Sequence, residues 1–172
     1  MFTTRTGKFN EIVEKIKGMG IHPFKCNFLG AIQAFTALSN SNWELKMDLY
    51  RRFGLSEDEI HNAFKIHPQC MLTSVKKITS IMDYLVNQMG YSSSYVAKYP
   101  CIFCYSLEKR IIPRCSVYKL LTCKGLIKNQ FSLISLLNYN YESFLEKFVI
   151  KFEVEAPELL KMYPSAVKSR AT

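Results

Sequence analysis

Lysine and arginine carry the most suggestive chemistry in this chain, because of where they sit. Residues 61–130 hold ten of them (Lys65, Lys76, Lys77, Lys98, Lys109, Arg110, Arg114, Lys119, Lys124 and Lys128) against only Asp83 and Glu108, a net +8. Residues 1–60 net +1 and residues 131–172 net zero, so nearly all of the +9 total lies in one stretch. A solubilising surface spreads its charge, whereas a local basic field draws a polyanion. Arg grips phosphate oxygens with a planar fork and Lys with a point charge, which makes the ten residues candidate phosphate contacts. Such contacts give affinity without reading bases and weaken steeply with salt. Arg110 and Arg114, four residues apart, share a helical face.

Other reactive residue types point to packing. The six cysteines (Cys26, Cys70, Cys101, Cys104, Cys115, Cys123) mostly have apolar neighbours and, with no signal peptide, read as reduced core residues. Cys101-x-x-Cys104 with Cys115 and Cys123 has the wrong spacing for a zinc ribbon, and no βαβ pattern surrounds it as a redox motif would require. His22, His61 and His67 lack paired ligands; His67, before Pro68, sits where a cation suits a helix end. No Ser–His–Asp order, phosphate loop or carboxylate pair stands out, so neither an enzyme nor a metal or other cofactor is expected. Most aromatics fit helical spacing and read as core rather than base-stacking platforms; Tyr95, Tyr99 and Tyr105 are the few to watch.

These side chains must be positioned by helices. Gly20, Gly54, Gly90 and Gly125 recur at separations of 34, 36 and 35 residues. Each follows a helical pattern, has an apolar residue four positions earlier (Ile16, Tyr50, Val86, Leu121) and precedes another (Ile21, Leu55, Tyr91, Leu126). That is a glycine C-cap, with the next residue packing back on the helix just ended. After Gly54, Ser56 and Glu59 form a capping box, Ile60, Ala63, Phe64 and Ile66 an apolar face, and Pro68 a stop. After Gly90, Ser92 or Ser93 caps and Pro100 stops. New helices are predicted over about Val75–Met89 and Leu107–Lys124, the second kinked or begun late at Pro113. Helical segments over Phe131–Leu137, Tyr141–Phe152 and Pro157–Tyr163 end near Pro164 and break the period, as a capping unit would. The fold expected is all-α: an elongated, right-curved superhelical solenoid of two-helix repeats of about 35 residues, each with a short 3₁₀ turn. Repeats fall at roughly 9–42, 43–78, 79–106 and 107–140, with capping helices over 141–172, in a single 1–172 domain.

At this level the chain resembles the mitochondrial transcription termination factor (mTERF) family, plant type. The residues that carry the likeness are Gly54-Leu55-Ser56-Glu57-Asp58-Glu59-Ile60 running to His67-Pro68, Met89 through Pro100, Tyr105 through Arg114, Phe144-Leu145-Glu146-Lys147, and Ala156-Pro157-Glu158-Leu159-Leu160. The resemblance implies a superhelix that binds double-stranded DNA or structured RNA in the mitochondrion or chloroplast, acting in transcription termination, organelle gene expression or RNA processing. The N-terminus carries no clear transit peptide. A monomer with no membrane association is expected; no run reaches 18 apolar residues. Two alternatives stand beside this reading. A protein-interaction scaffold would show an apolar groove. A pentatricopeptide-like RNA binder is suggested by Lys17-Gly18-Met19-Gly20-Ile21-His22-Pro23, but Gly54, Gly90 and Gly125 have no proline three residues on.

Overall fold

The computed structural model describes residues 5–128 and 131–163, and no strand occurs among them. In chain order the α-helices are α1 (Arg5–Gly18), α2 (Cys26–Ala37), α3 (Asn40–Arg52), α4 (Glu57–Ile66), α5 (Val75–Met82), α6 (Ser93–Lys98), α7 (Ile112–Cys123), α8 (Leu133–Asn138), α9 (Tyr141–Phe148) and α10 (Glu158–Met162). Short 3₁₀ segments follow α4 (Pro68–Met71), α6 (Pro100–Cys104) and α9 (Ile150–Phe152). Asp83–Gln88 extends α5 as a π-helix, and a π-turn, Leu107–Ile111, leads into α7.

Local chemistry explains the elements. Gly20, Gly54, Gly90 and Gly125 have φ of 79°, 83°, 75° and 69°, the left-handed region that glycine alone enters without a Cβ clash. The residue after each glycine bonds back into the helix: Ile21 N–H to Ile16 O and Leu55 N–H to Tyr50 O at 3.3 Å, Leu126 N–H to Leu121 O at 3.0 Å. At Gly90 the reach is one residue longer, from Tyr91 N–H to Leu85 O at 3.0 Å. The π-helix holds an extra residue there, so Leu85 is the fully buried anchor in place of the expected Val86. Helix starts are equally local. Side chains of Ser39, Ser56, Ser74, Ser92, Ser106, Ser132 and Asn140 accept the N–H three residues on, and Ser56 with Glu59 completes the capping box. Pro113 marks a late start, as expected: α7 begins at Ile112, after the π-turn. Ile112 N–H reaches Leu107 O across the π-turn, and the proline sits in the first turn of α7, where a missing N–H is harmless.

Helix pairs therefore span α1–α2, α3–α4, α5–α6 and α7–α8. The expected limits at 42/43 and 78/79 fall inside α3 and α5, because Ser39 and Ser74 start those helices earlier than apolar periodicity suggests. The first and last pairs lack the 3₁₀ closure. A tail ending at Pro164 lies outside the described residues.

Backbone contacts divide the chain into two compact units, between Cys104 and Tyr105. In the first, Pro68–Met71 packs on α2, α4 and Pro100–Cys104, and α4 packs on α6. Its core is Ile16, Phe64, Met71, Ile78, Ile81, Met82, Leu85, Val96, Ile102 and Phe103. Phe35, Trp43 and Phe64 form an aromatic cluster, the first two stacked at 4.7 Å. In the second, Val117 and Leu121 of α7 meet Leu136, Phe144, Phe148, Val149, Ala156 and Leu159.

Candidate nucleic-acid interface

The basic side chains divide by what their heads touch. In one population they bond backbone carbonyls at the ends of helical segments. Within the first unit, Lys46 of α3 donates to Met71 O, and to Thr73 O at 2.8 Å, just past one 3₁₀ segment. Lys77 of α5 donates to Cys104 O at 3.3 Å, at the end of the next. Within the second unit, Arg110 donates to Leu137 O (3.0 Å) and Tyr139 O (2.8 Å), at the end of α8. Arg114 donates from Nη1 to Leu136 O (2.9 Å), Leu137 O (3.1 Å) and Tyr139 O (2.6 Å), and from Nη2 to Asn140 O (3.4 Å). Lys124 donates to Glu155 O at 3.2 Å and pairs with Glu158 at 2.6 Å, which lowers the Glu158 pKa.

The physical reason is common to the first four, whereas the Glu155 carbonyl that Lys124 meets lies in a turn. A helical segment ends with carbonyls that have no partner along the chain and with the negative end of its dipole, and a cationic donor satisfies both. In the second, third and fourth pairs, which end without a glycine cap, the first helix or the turn leading into it supplies that donor. Lys46–Thr73, Lys77–Cys104 and Arg110–Leu137 share a separation of 27 residues. Lys46, which sequence reasoning passed over, belongs to this set; its signal was a lysine on the buried face beside Met47.

Burial sharpens the division. Lys46 is 6% exposed and Arg114 4%. Desolvation lowers both pKa values, and the neighbouring Arg110 charge lowers that of Arg114 further. The Arg114 guanidinium also lies 4.5 Å from the centre of the Phe144 ring. Arg110 and Arg114 do share a face, as expected, but that face closes α8. This takes Arg114 out of the outward-facing set and leaves Arg110, half-buried and 4.6 Å over the Tyr105 ring, largely committed.

In the second population the heads face solvent. Lys76 and Lys98 in the first unit and Lys109, Lys119 and Lys128 in the second are exposed, and Lys65 is half-buried. None forms an ion pair with a described acid. The Asp83 carboxylate accepts from Asn87 instead, at 3.1 Å. In the acid-rich first sixty residues, by contrast, Arg51 is held between Asp48 and Glu57 at 2.5 Å each.

Lys98 borders a small groove between α4 and α6, lined also by Glu59, Asn62, Ile66, Ser94 and Ala97. Hydrogen bonds from Ser94 and Ser56 hold the Glu59 carboxyl below its usual pKa, so it is ionised there. Tyr91, Tyr95 and Tyr99 run ring to ring at 5.4 and 5.3 Å, with the Lys98 ammonium 5.9 Å from the last. Tyr105 donates its hydroxyl to Asn138 at 2.6 Å.

Two expectations need correction. Cys70 and Cys115 are buried, but Cys26, Cys104 and Cys123 are exposed and Cys101 is half-buried. Neighbouring apolar letters did not imply burial, because a side chain one position round a helix from a core residue faces outward. His67 does end α4, but burial lowers its pKa and its Nε2 lies 3.1 Å from Cys104 Sγ, so it is a neutral partner of a thiol.

A Gly-capped helix, a Ser-capped helix and a cation-closed segment, repeated with lysines facing out, define an all-helical repeat protein with a basic surface. The chain belongs to the mTERF family, whose model matches residues 1–145. It is 26% identical over 112 residues to "Transcription termination factor MTERF15, mitochondrial" of Arabidopsis thaliana, covering 63% of this chain and 24% of that protein. It is 25% identical over 107 residues (59% and 19%) to "Transcription termination factor MTEF18, mitochondrial", and 28% over 81 residues (47% and 16%) to "Transcription termination factor MTERF8, chloroplastic", both of Arabidopsis thaliana. The matched stretches thus span a quarter or less of these relatives' lengths. No solved structure matches the chain. Among the described residues no helix is long and apolar enough to cross a membrane.

Proposed function

We propose that the chain is a non-catalytic, double-stranded nucleic-acid-binding regulator of organelle gene expression, of the transcription-termination type its relatives are named for. The observation that supports this best is the set of outward lysines, Lys65, Lys76, Lys98, Lys109, Lys119 and Lys128, with no acid paired to them. Lys77, Arg110 and Lys124 add to the field from positions tied to carbonyls, and Arg114 holds the scaffold beneath. A lysine with no acid paired to it is available to replace a cation condensed on a nucleic-acid phosphate, so binding is driven by release of those counterions.

The test is titration of a random-sequence duplex at about 50 and 200 mM salt. With five phosphates neutralised, the log–log slope is about −4.5, and affinity falls on the order of 500-fold between the two conditions. Absence of binding at the lower salt, or a flat salt response, overturns the reading.

A further inference from the structure

We propose that Cys101 and Cys104 form a thiol-modification site, a dithiol that closes to a disulfide, with His67 as the proton acceptor for the Cys104 thiol. The site lies wholly within the first unit and does not depend on the nucleic-acid reading.

Three observations carry it. First, both cysteines lie in the 3₁₀ segment Pro100–Cys104. With three residues per turn, side chains three apart lie one above the other, and a rise of ~2 Å per residue separates their Cα atoms by about 6 Å. That separation falls within the span a disulfide bridges. Second, reagent can reach them: Cys104 is exposed and Cys101 half-buried, whereas Cys70, the other cysteine near Cys104, is buried. Cys26 and Cys123 are exposed too, but neither has a second cysteine one helical turn away. Third, His67 Nε2 sits 3.1 Å from Cys104 Sγ. The imidazole is held there by the backbone on both sides, since His67 N–H bonds Ala63 O at 2.9 Å and Pro68 follows.

The assignment rests on this geometry, and the electrostatics act in both directions. Desolvation raises the pKa of both thiols, so neither ionises readily unaided. Two neighbours act the other way. The Lys77 ammonium, bonded to Cys104 O, favours the Cys104 thiolate, and the neutral His67 imidazole can take its proton.

With a small disulfide such as oxidised glutathione as oxidant, the sequence balances. Cys104 gives its proton to His67 Nε2, and its sulfur attacks one glutathione sulfur. The glutathione S–S bond breaks, one glutathione leaves and takes up a proton, and Cys104 carries a mixed disulfide. Cys101 then loses its proton to solvent and attacks Cys104 Sγ, which expels the second glutathione as a thiol. Two protein thiols are oxidised and one glutathione disulfide is reduced to two thiols.

The test uses the whole chain equilibrated in mixtures of reduced and oxidised glutathione, acid-quenched and alkylated. Trypsin releases the peptide from Tyr99 to Lys109, which contains Cys101 and Cys104 and no other cysteine. Its mass should be that of the unalkylated peptide less two hydrogens, in a fraction that rises with the oxidised form. In Cys101→Ser the same peptide should stop at the Cys104–glutathione adduct. His67→Ala should slow oxidation of Cys104 about tenfold, short of what an optimised general base supplies. Should that variant lose helicity, His67→Gln is read the same way, and wild-type chain in urea gives the rate without any positioned base. The proposal is overturned if Cys101 and Cys104 stay reduced where Cys26 and Cys123 have become glutathionylated. It is also overturned if the urea-unfolded chain closes this disulfide as fast as the folded one.

Discussion

Replacing Arg114 by methionine separates the cations that hold the fold from those that face a ligand. Methionine keeps the apolar stem and leaves little void, so what is lost is the guanidinium. Its Nη1 bonds Leu136, Leu137 and Tyr139 carbonyls, and its Nη2 the Asn140 carbonyl. Arg110 still serves Leu137 and Tyr139, which leaves Leu136 and Asn140 without a side-chain donor. A buried group deprived of its partner costs about 1–3 kcal/mol, and the lost contact over Phe144 adds about 1. Relief of the desolvation that lowers the Arg114 pKa offsets part of this, leaving a net loss of about 3 kcal/mol. Lys119→Met, on the exposed side of the same helix, should stay within about 0.5 kcal/mol of wild type. The two variants should exchange rank in duplex binding. Lys119→Met reduces the magnitude of the salt slope by up to about 1, while Arg114→Met, at a temperature where it remains folded, leaves the slope unchanged. The assays are urea unfolding followed by circular dichroism and duplex titration against salt. If Arg114→Met unfolds at the wild-type urea midpoint and flattens the salt slope as Lys119→Met does, the division into two populations is wrong.

Gly54→Ala places a Cβ in open space but at a φ of 83°, so its cost is conformational alone, about 1–2 kcal/mol. Gly18→Ala, at the last residue of α1 with nothing near its Cβ, should instead stabilise by about 0.5 kcal/mol; thermal melts compare the two. Burial pushes the Cys115 thiol up to about 12. Above the ordinary thiol pKa the unfolded chain therefore gives up a proton that the folded chain keeps, and stability falls between pH 9 and 12. Cys115→Ala should remove one proton from that slope, about 1.4 kcal/mol per pH unit, in urea midpoints measured across the range. Ser92→Ala removes the side chain that accepts Tyr95 N–H at the start of α6 and should lower stability by about 1 kcal/mol, read in the same unfolding assay.

Much of the architecture was legible because its determinants act over three to six residues. A glycine at the left-handed position, a serine three residues before the N–H it accepts and a proline at a stop each act within one turn, so their order along the chain specifies the helix pairs. The misses have the same logic in reverse. The π-helix after α5 moved the buried anchor from Val86 to Leu85, an offset that depends on packing and not on local preference. The starts of α3 and α5 were set by Ser39 and Ser74, whose capping role periodicity alone does not reveal.

The site was less legible. The concentration of basic residues over 61–130 is a property of composition, and the sequence by itself determined that such a field exists and which family it accompanies. Which of those charges face outward was decided only by tertiary structure. Lys77, Arg110, Arg114 and Lys124 lie 22 to 31 residues from the carbonyls they serve, and no pattern within one helix records that partnership. A cation's role depends on whether folding brings the unsatisfied end of a helix within its reach. The meeting of His67 with Cys104, across 37 residues, was decided in the same way.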